Sequence, residues 1–344
     1  MTKPNDDELE LDSVFEMDDN TFQDAVKKAK KKIANRNIII SVLVSLGVLI
    51  ILIVGWLSLM GLSQAVAIQD ERMYSQIKSP NVYEIGYQIK GNGLFEGTLS
   101  FTRYKMVGDF PIDWNDDVIN YNLFGRSGRV LGDHSPVQTT DKIDGLPRFY
   151  DRDVKERIMQ FYHPNVDYKT IRNDIIQLKN VGTNKEIEMA ISFDKGYSPK
   201  EVRNFLPSEV SLTWYWVDTY SDSDKRLEDH SLKQENGNII NFGSDPLFAD
   251  EVYGFSEENI EGISSEEAFL RDIKEGKAEV SKKEYSQEFE RIYDHLRGSS
   301  KEPKVSDMKI IGVIVTGSSP QLNSLQNIKQ IRSSVFGAIA EKDY

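Results

Sequence analysis

The chain of 344 residues contains no cysteine. Disulfides, thiolate zinc sites and thiol redox chemistry are therefore excluded, and any exported part must fold on its apolar core alone. Histidine is scarce too. His134, His163, His230 and His295 lie far apart, with no HExxH motif or i,i+4 pair to hold zinc. No GxSxG elbow and no phosphate-binding glycine loop occurs. Gly317-Ser318-Ser319 reads as a strand-to-helix cap, although its amides could also hold an anion. Asp218, Asp222 and Asp224 open like a calcium loop, but the glycine and distal glutamate of such a loop are missing. Acidic neighbours such as Asp116 and Asp117 read as solvated turns. Nothing in the spacing favours a carboxylate-pair hydrolase. The reading is of a protein that is not an enzyme, with no catalytic residue, metal ligand or cofactor.

Basic charge is in short supply beyond the first 60 residues. There, 46 acidic residues face 35 basic ones, a net of −11. That balance argues against nucleic-acid binding by the long C-terminal part and suits plain solubility.

What the chain does have is Ile38 to Met60, 23 consecutive residues without a charge. At about 1.5 Å per residue this run crosses the roughly 30 Å hydrocarbon core of a bilayer. It separates a tail of 37 residues from a part of 284. Lys27, Lys28, Lys30, Lys31, Lys32 and Arg36 precede the run, and the first charge after it is Asp70. Retention of positive charge places the tail in the cytoplasm and the large domain outside, at the cell membrane. Trp56 suits the outer headgroup layer. The rival is a cleaved signal peptide. The run is too long for one, and Ala65-Val66-Ala67 is the nearest small-residue cleavage site. An uncleaved signal anchor is therefore expected.

The tail has two halves. Residues 1–24 carry nine acids and one lysine, whereas residues 25–37 carry six basic residues and no acid. Leu11, Val14, Phe15 and Phe22 share one side of a helix by spacing. Phe22, Ala25, Val26, Ala29 and Ile33 repeat the pattern. Thr21 is a candidate N-cap, with Asp24 aligned to the helix dipole, and the helix should run on into the membrane. So short a tail cannot bury its own apolar stripe. Leu11, Val14, Phe15, Phe22 and Val26 are thus candidate contacts for a basic partner with an apolar groove. The alternative is a disordered tail whose basic half fixes topology or holds anionic membrane lipid.

The remainder reads as α+β: a single transmembrane helix followed by an exported α/β sandwich domain with a mixed sheet. Tyr83 to Tyr104 alternates around Gly91-Asn92-Gly93 as a hairpin would. Residues 108–150 read as loops and 168–179 as a helix. Glu186–Phe193 and Val210–Tyr220 read as strands, with a helix between them capped by Ser198 and begun by Pro199. A polar loop covers 221–264. Helices follow from Ser265 and within Lys282–Leu296, where Phe289, Ile292, Tyr293 and Leu296 share a face. Met308–Thr316 is apolar enough for a central strand, Pro320–Ile331 reads as a helix and Ser334–Ile339 as a short last strand. The expected organisation is tail 1–37, span 38–60, membrane-proximal region 61–180 and C-terminal domain 181–344.

Certain stretches carry a family likeness. Residues 22–44 (FQDAVKKAKKKIANRNIIISVLV) resemble the N-terminal segment of the sigma factor regulator family of Gram-positive bacteria. WYWVDTY (214–220), EVYGF (251–255), GVIVTGSSPQLNSL (312–325) and IRSSVFGAIA (331–340) resemble that family's C-terminal domain. The resemblance implies a membrane-anchored anti-sigma factor whose tail holds an extracytoplasmic-function sigma factor away from RNA polymerase. It also implies an outer domain that senses envelope stress or pairs with a second membrane protein. The competing class is an extracytoplasmic binding or assembly protein of the cell wall, for which the tail is only topogenic.

Overall fold

A computed structural model describes residues 19–342, save 126, 130–135, 222–223, 234–238 and 258–261. The chain forms two compact units, Met1–Gly61 and Leu62–Tyr344. One helix, α1 (Asp19–Lys78), begins in the first and ends in the second.

Four strands follow: β1 (Tyr83–Asn92), β2 (Glu96–Val107), β3 (Phe110–Asn122) and β4 (Ser127–Arg129). They form an antiparallel sheet in that order. The expected hairpin is β1–β2. The expected loop at 108–150 is instead mostly strand: β3, β4, then β5 (Val137–Thr140) paired with β6 (Pro147–Tyr150). A bulge hides β3. Opposite the register shift between Phe101 and Arg103, its apolar phase moves from Phe110, Ile112 and Trp114 to Ile119 and Tyr121. One inserted residue breaks the period of two by which a strand is read. Asp117 is consequently buried within β3 beside Arg103, not in a solvated turn.

The next elements are β7 (Gln160–Phe161), a 3₁₀ turn (Asp174–Asn180), β8 (Lys185–Tyr197), α2 (Pro199–Phe205) and β9 (Ser211–Val217). The helix expected over 168–179 is only that turn. Asn173 makes no side-chain cap, and Ile176 points to solvent while Asp174 is buried, the reverse of an amphipathic helix. Ser198 does cap α2, in a reciprocal box with Glu201. The expected polar loop at 221–264 contains short strands β10 (His230–Lys233), β11 (Ile239–Gly243), β12 (Leu247–Phe248) and β13 (Gly254–Ser256). Then come α3 (Ser265–Glu279), α4 (Lys283–Arg297), β14 (Ile310–Ser318), α5 (Ser319–Asn323) and β15 (Ile331–Glu341). The helix read over 320–331 is α5 and a single 3₁₀ turn, and the last strand is longer than its expected core.

The main sheet has the order β13-β9-β14-β8-β15, with β14 at its centre as its apolar run predicts. Every strand pairing in it is antiparallel, which corrects the mixed sheet. The reason lies in the connection. β8 and β9 do run parallel across the α2 connection, but β14 inserts between them and runs against both, so no two neighbours are parallel. Both faces of the sheet are buried. Ile187, Met189, Tyr215 and Val313 pack with Phe269, Phe289 and Ile292 of α3 and α4 on one side. Trp214, Trp216, Ile311 and Ile314 pack with Phe161 and Leu247 on the other. This explains the near-continuous hydrophobicity of β14.

Glu188 of β8 ties the two sheets together. Fully buried, it accepts from Lys105 Nζ of β2 at 2.9 Å, Asn81 Nδ2 at 2.7 Å and the Ala338 N–H at 3.0 Å. A Cβ at Gly337 would stand 2.2 Å from this carboxylate, so the residue there must be glycine. Pairing and full hydrogen bonding offset the cost of burying such a charge.

Candidate functional site on the first helix

Helix α1 is the element on which the site expectations converge. Its first turns carry Phe22, Val26, Ala29 and Ile33, spaced four, three and four apart and so on one face. Phe22 is 57% and Ile33 54% exposed, with Val26 partly covered. Lys27, Lys28, Lys30, Lys31, Lys32 and Arg36 are exposed. Thr21 lies inside the helix, which is already formed at Asp19, so it is not the N-cap. Leu11, Val14 and Phe15 lie outside the described residues. The apolar run continues in the same helix. Among the described residues, α1 is the one helix long and apolar enough to cross a membrane.

Beyond Gly61 the helix acquires a buried face. Ser63, Ala67, Asp70, Glu71, Tyr74 and Ile77 recur at helical spacing and are all buried within the second unit. Tyr74 stacks on Tyr285 of α4, with ring centroids 3.8 Å apart, and meets Phe289 and Tyr253 edge-on. Its hydroxyl lies 3.2 Å from that of Tyr253. Burial raises its pKa, and the neighbouring Tyr253 adds to the effect. Glu71 Oε2 accepts from the Tyr285 hydroxyl at 2.7 Å.

Asp70 makes the most informative contact. Its carboxylate accepts from the backbone N–H groups of Ser281 (2.9 Å) and Lys282 (2.7 Å), at the start of α4. The N-cap residue of α4, Lys282, makes no side-chain cap of its own. Helix α1 thus supplies the cap from 212 residues away. Burial pushes the Asp70 carboxyl above its ordinary value, against the two N–H groups and the charge of Lys282.

Two family models match the chain. Residues 23–112 match the one described as Sigma factor regulator N-terminal, and residues 178–338 the one described as Sigma factor regulator C-terminal. The chain belongs to the sigma factor regulator family. No curated protein and no solved structure matches it. The N-terminal match begins on the exposed stripe, passes through the apolar run and the buried face, and ends in β3. The C-terminal match takes in the main sheet and its helices. These domains support a role in regulating a sigma factor, in a family that is regulatory and not enzymatic. The apolar helix supports single-pass membrane anchoring.

The histidines and acids of this sigma factor regulator deserve the same accounting. The fold brings His163 and His295 toward Asp218, with Nε2–Oδ1 distances of 3.6 and 4.0 Å. Their separation in sequence gave no hint of this. No group of three or more His, Cys, Asp or Glu among the described residues could hold a metal. Asp224 caps the 3₁₀ turn at Lys225 and pairs with Arg226 at 2.7 Å. Ser318 forms a reciprocal box with Gln321 and so caps α5. Asp70, Glu71 and Tyr74 are the residues that the sequence reading missed. Their spacing was legible, but two carboxylates on the buried face broke the apolar pattern.

Proposed function

We propose that this sigma factor regulator is a membrane-anchored anti-sigma factor. The N-terminal tail, residues 1–37, lies in the cytoplasm and holds an extracytoplasmic-function sigma factor inactive. Residues 38–60 are an uncleaved signal anchor. The part beyond them, made of the membrane-proximal region 61–180 and the C-terminal domain 181–344, lies outside. It responds to envelope stress, directly or with a second membrane protein.

The observation that carries this reading is the stripe of Phe22, Val26 and Ile33 immediately before the span, which begins one residue ahead of the N-terminal family match and continues into it. Exposed aromatic and aliphatic groups at helical spacing fit an apolar groove on a partner. The acids of residues 1–24 add complementarity to a basic surface. Bound there, the tail competes with RNA polymerase for the sigma factor. The six basic residues nearest the span set its orientation and hold anionic lipid.

A peptide of residues 1–37, titrated against purified extracytoplasmic-function sigma factors of the same cell, tests the reading, with the full chain in vesicles as the reference. Binding by both at micromolar concentration or below is expected. A peptide and a full chain that both fail to bind at tens of micromolar reduce the tail to a membrane anchor. The cell-wall binding alternative then takes over.

A further inference from the structure

The first sheet ends in two turns that carry the same dipeptide. The β1–β2 turn reads Gly-Asn-Gly-Leu94-Phe95 and the β3–β4 turn reads Asn-Leu123-Phe124-Gly. Each turn is closed by its own backbone: the Gly93 N–H donates to the Glu96 carbonyl at 2.7 Å, and the Gly125 N–H to that of Asn122 at 3.0 Å. The Leu123 N–H donates to the Phe95 carbonyl at 2.8 Å, so the two turns lie side by side. Three of the four Leu and Phe side chains face solvent, while Leu123 is half-buried. Leu94 is 71%, Phe95 59% and Phe124 81% exposed, the last being the highest value for a large apolar residue among those described. Neither Gly91–Phe95 nor Val118–Gly125 contains a charge, in a domain otherwise rich in acids.

Their position names the surface they meet. The Asn122 carbonyl accepts from Ser63 Oγ, and the Tyr121 hydroxyl donates to Gln64 Oε1 at 3.1 Å. Tyr121 reaches that far because it lies over Gly97, where a Cβ would come within 2.4 Å of its ring. Ser63 is three residues past Met60, the last residue of the apolar run, or about 4.5 Å of helical rise. The headgroup layer extends several ångströms beyond the hydrocarbon on each side. Both turns are therefore pinned to α1 at the depth where apolar side chains enter the interface.

We infer that Leu94, Phe95 and Phe124 form a second membrane contact, dipping into the outer interface of the bilayer that α1 crosses. Together with α1 they give the outer domain two attachment points and so a fixed face toward the lipid. The inference rests on the span at 38–60 and not on the identity of the cytoplasmic partner.

The cysteine-free chain permits a direct test, since any introduced cysteine is unique. Full-length Phe95→Cys and Phe124→Cys variants carry a nitroxide label in vesicles of phosphatidylethanolamine and phosphatidylglycerol. Ile51→Cys reports the span, and Ile143→Cys and Ile176→Cys report exposed sites elsewhere on the domain. Collision with oxygen, which concentrates in lipid, is compared with collision with a water-soluble nickel chelate. The oxygen-to-nickel ratio at 95 and 124 should exceed that at 143 and 176 several-fold and stay below that at 51. Equal ratios at 95, 124, 143 and 176 overturn the inference, as does shielding from both reagents, which would mean a protein neighbour. An aqueous reading at 51 overturns the span itself, so the two failures are distinguishable. Unchanged thermal unfolding of each variant confirms that the fold is intact.

Discussion

Two stretches of one helix carry stripes at the same spacing and meet different fates. Phe22, Val26, Ala29 and Ile33 are largely exposed, whereas Ala67, Tyr74 and Ile77 are buried, the last two in the core that includes α4. Periodicity alone does not separate them. The difference is in what else each stretch carries. The buried stripe includes Asp70 and Glu71, which meet backbone N–H groups and a tyrosine hydroxyl. Around the exposed stripe stand lysines, an arginine, Asp19, Asp24 and small polar groups, all of them exposed to water. Buried, hydrogen-bonded carboxylates thus mark a seam that is closed, whereas the exposed stripe is the surface proposed to receive a partner.

The largest effect is expected on the closed seam. Tyr74→Ala removes a ring stacked on Tyr285 and should cost the Leu62–Tyr344 unit about 3–5 kcal/mol, read by denaturant unfolding through Trp214 and Trp216. An effect under 1 kcal/mol would erase the contrast between the stripes. Phe22→Ala should leave that unfolding curve unchanged. It should instead weaken sigma-factor binding about tenfold or more, since burial of such a side chain is worth roughly 1.5–3 kcal/mol. Calorimetry against the sigma factor measures this, and derepression without loss of membrane-bound protein is the readout in cells.

A smaller effect is expected at Asp70. Asp70→Ala leaves two N–H groups at the start of α4 without their acceptor and should cost about 1 kcal/mol. Asp70→Asn keeps an acceptor and cannot ionise. Because the native pKa is raised above the ordinary 3.8, the folded state holds the Asp70 proton more tightly than the unfolded chain. This site therefore favours folding most at low pH and loses that contribution as pH rises through the raised native value. Asp70→Asn should match or exceed the parent in thermal stability at pH 7, and lose that advantage near pH 4. The opposite trend would mean that the two N–H bonds outweigh burial. The least effect is expected from Lys30→Ala, one charge in a redundant run, which should leave binding and topology within about a factor of two.

Much of the architecture was legible because single signals were strong. The uncharged run at 38–60, the Ser198-Pro199 start of α2, the apolar run of β14 and the face of α4 each sufficed. The misses have physical causes. The bulge opposite Phe101 reset the alternation of β3, and the insertion of β14 between the parallel strands β8 and β9 left every pairing in the sheet antiparallel. The candidate contacts on α1 were readable as far as spacing goes, and Phe22 and Val26 do share a face. The cap that Asp70 gives α4 was not readable, because nothing local to residue 70 or 282 announces the other.

That separation also has a consequence in time. Tyr74 waits for Tyr253, 179 residues later, and Glu71 for Tyr285, 214 residues later. At about 5–20 residues per second, roughly 10–40 s of synthesis pass before the partners exist. Throughout that interval the nascent helix beyond Gly61 displays Ala67, Tyr74 and Ile77 with two carboxylates among them. Those charges keep a temporarily homeless apolar stripe soluble, then become the fastening when the C-terminal half arrives.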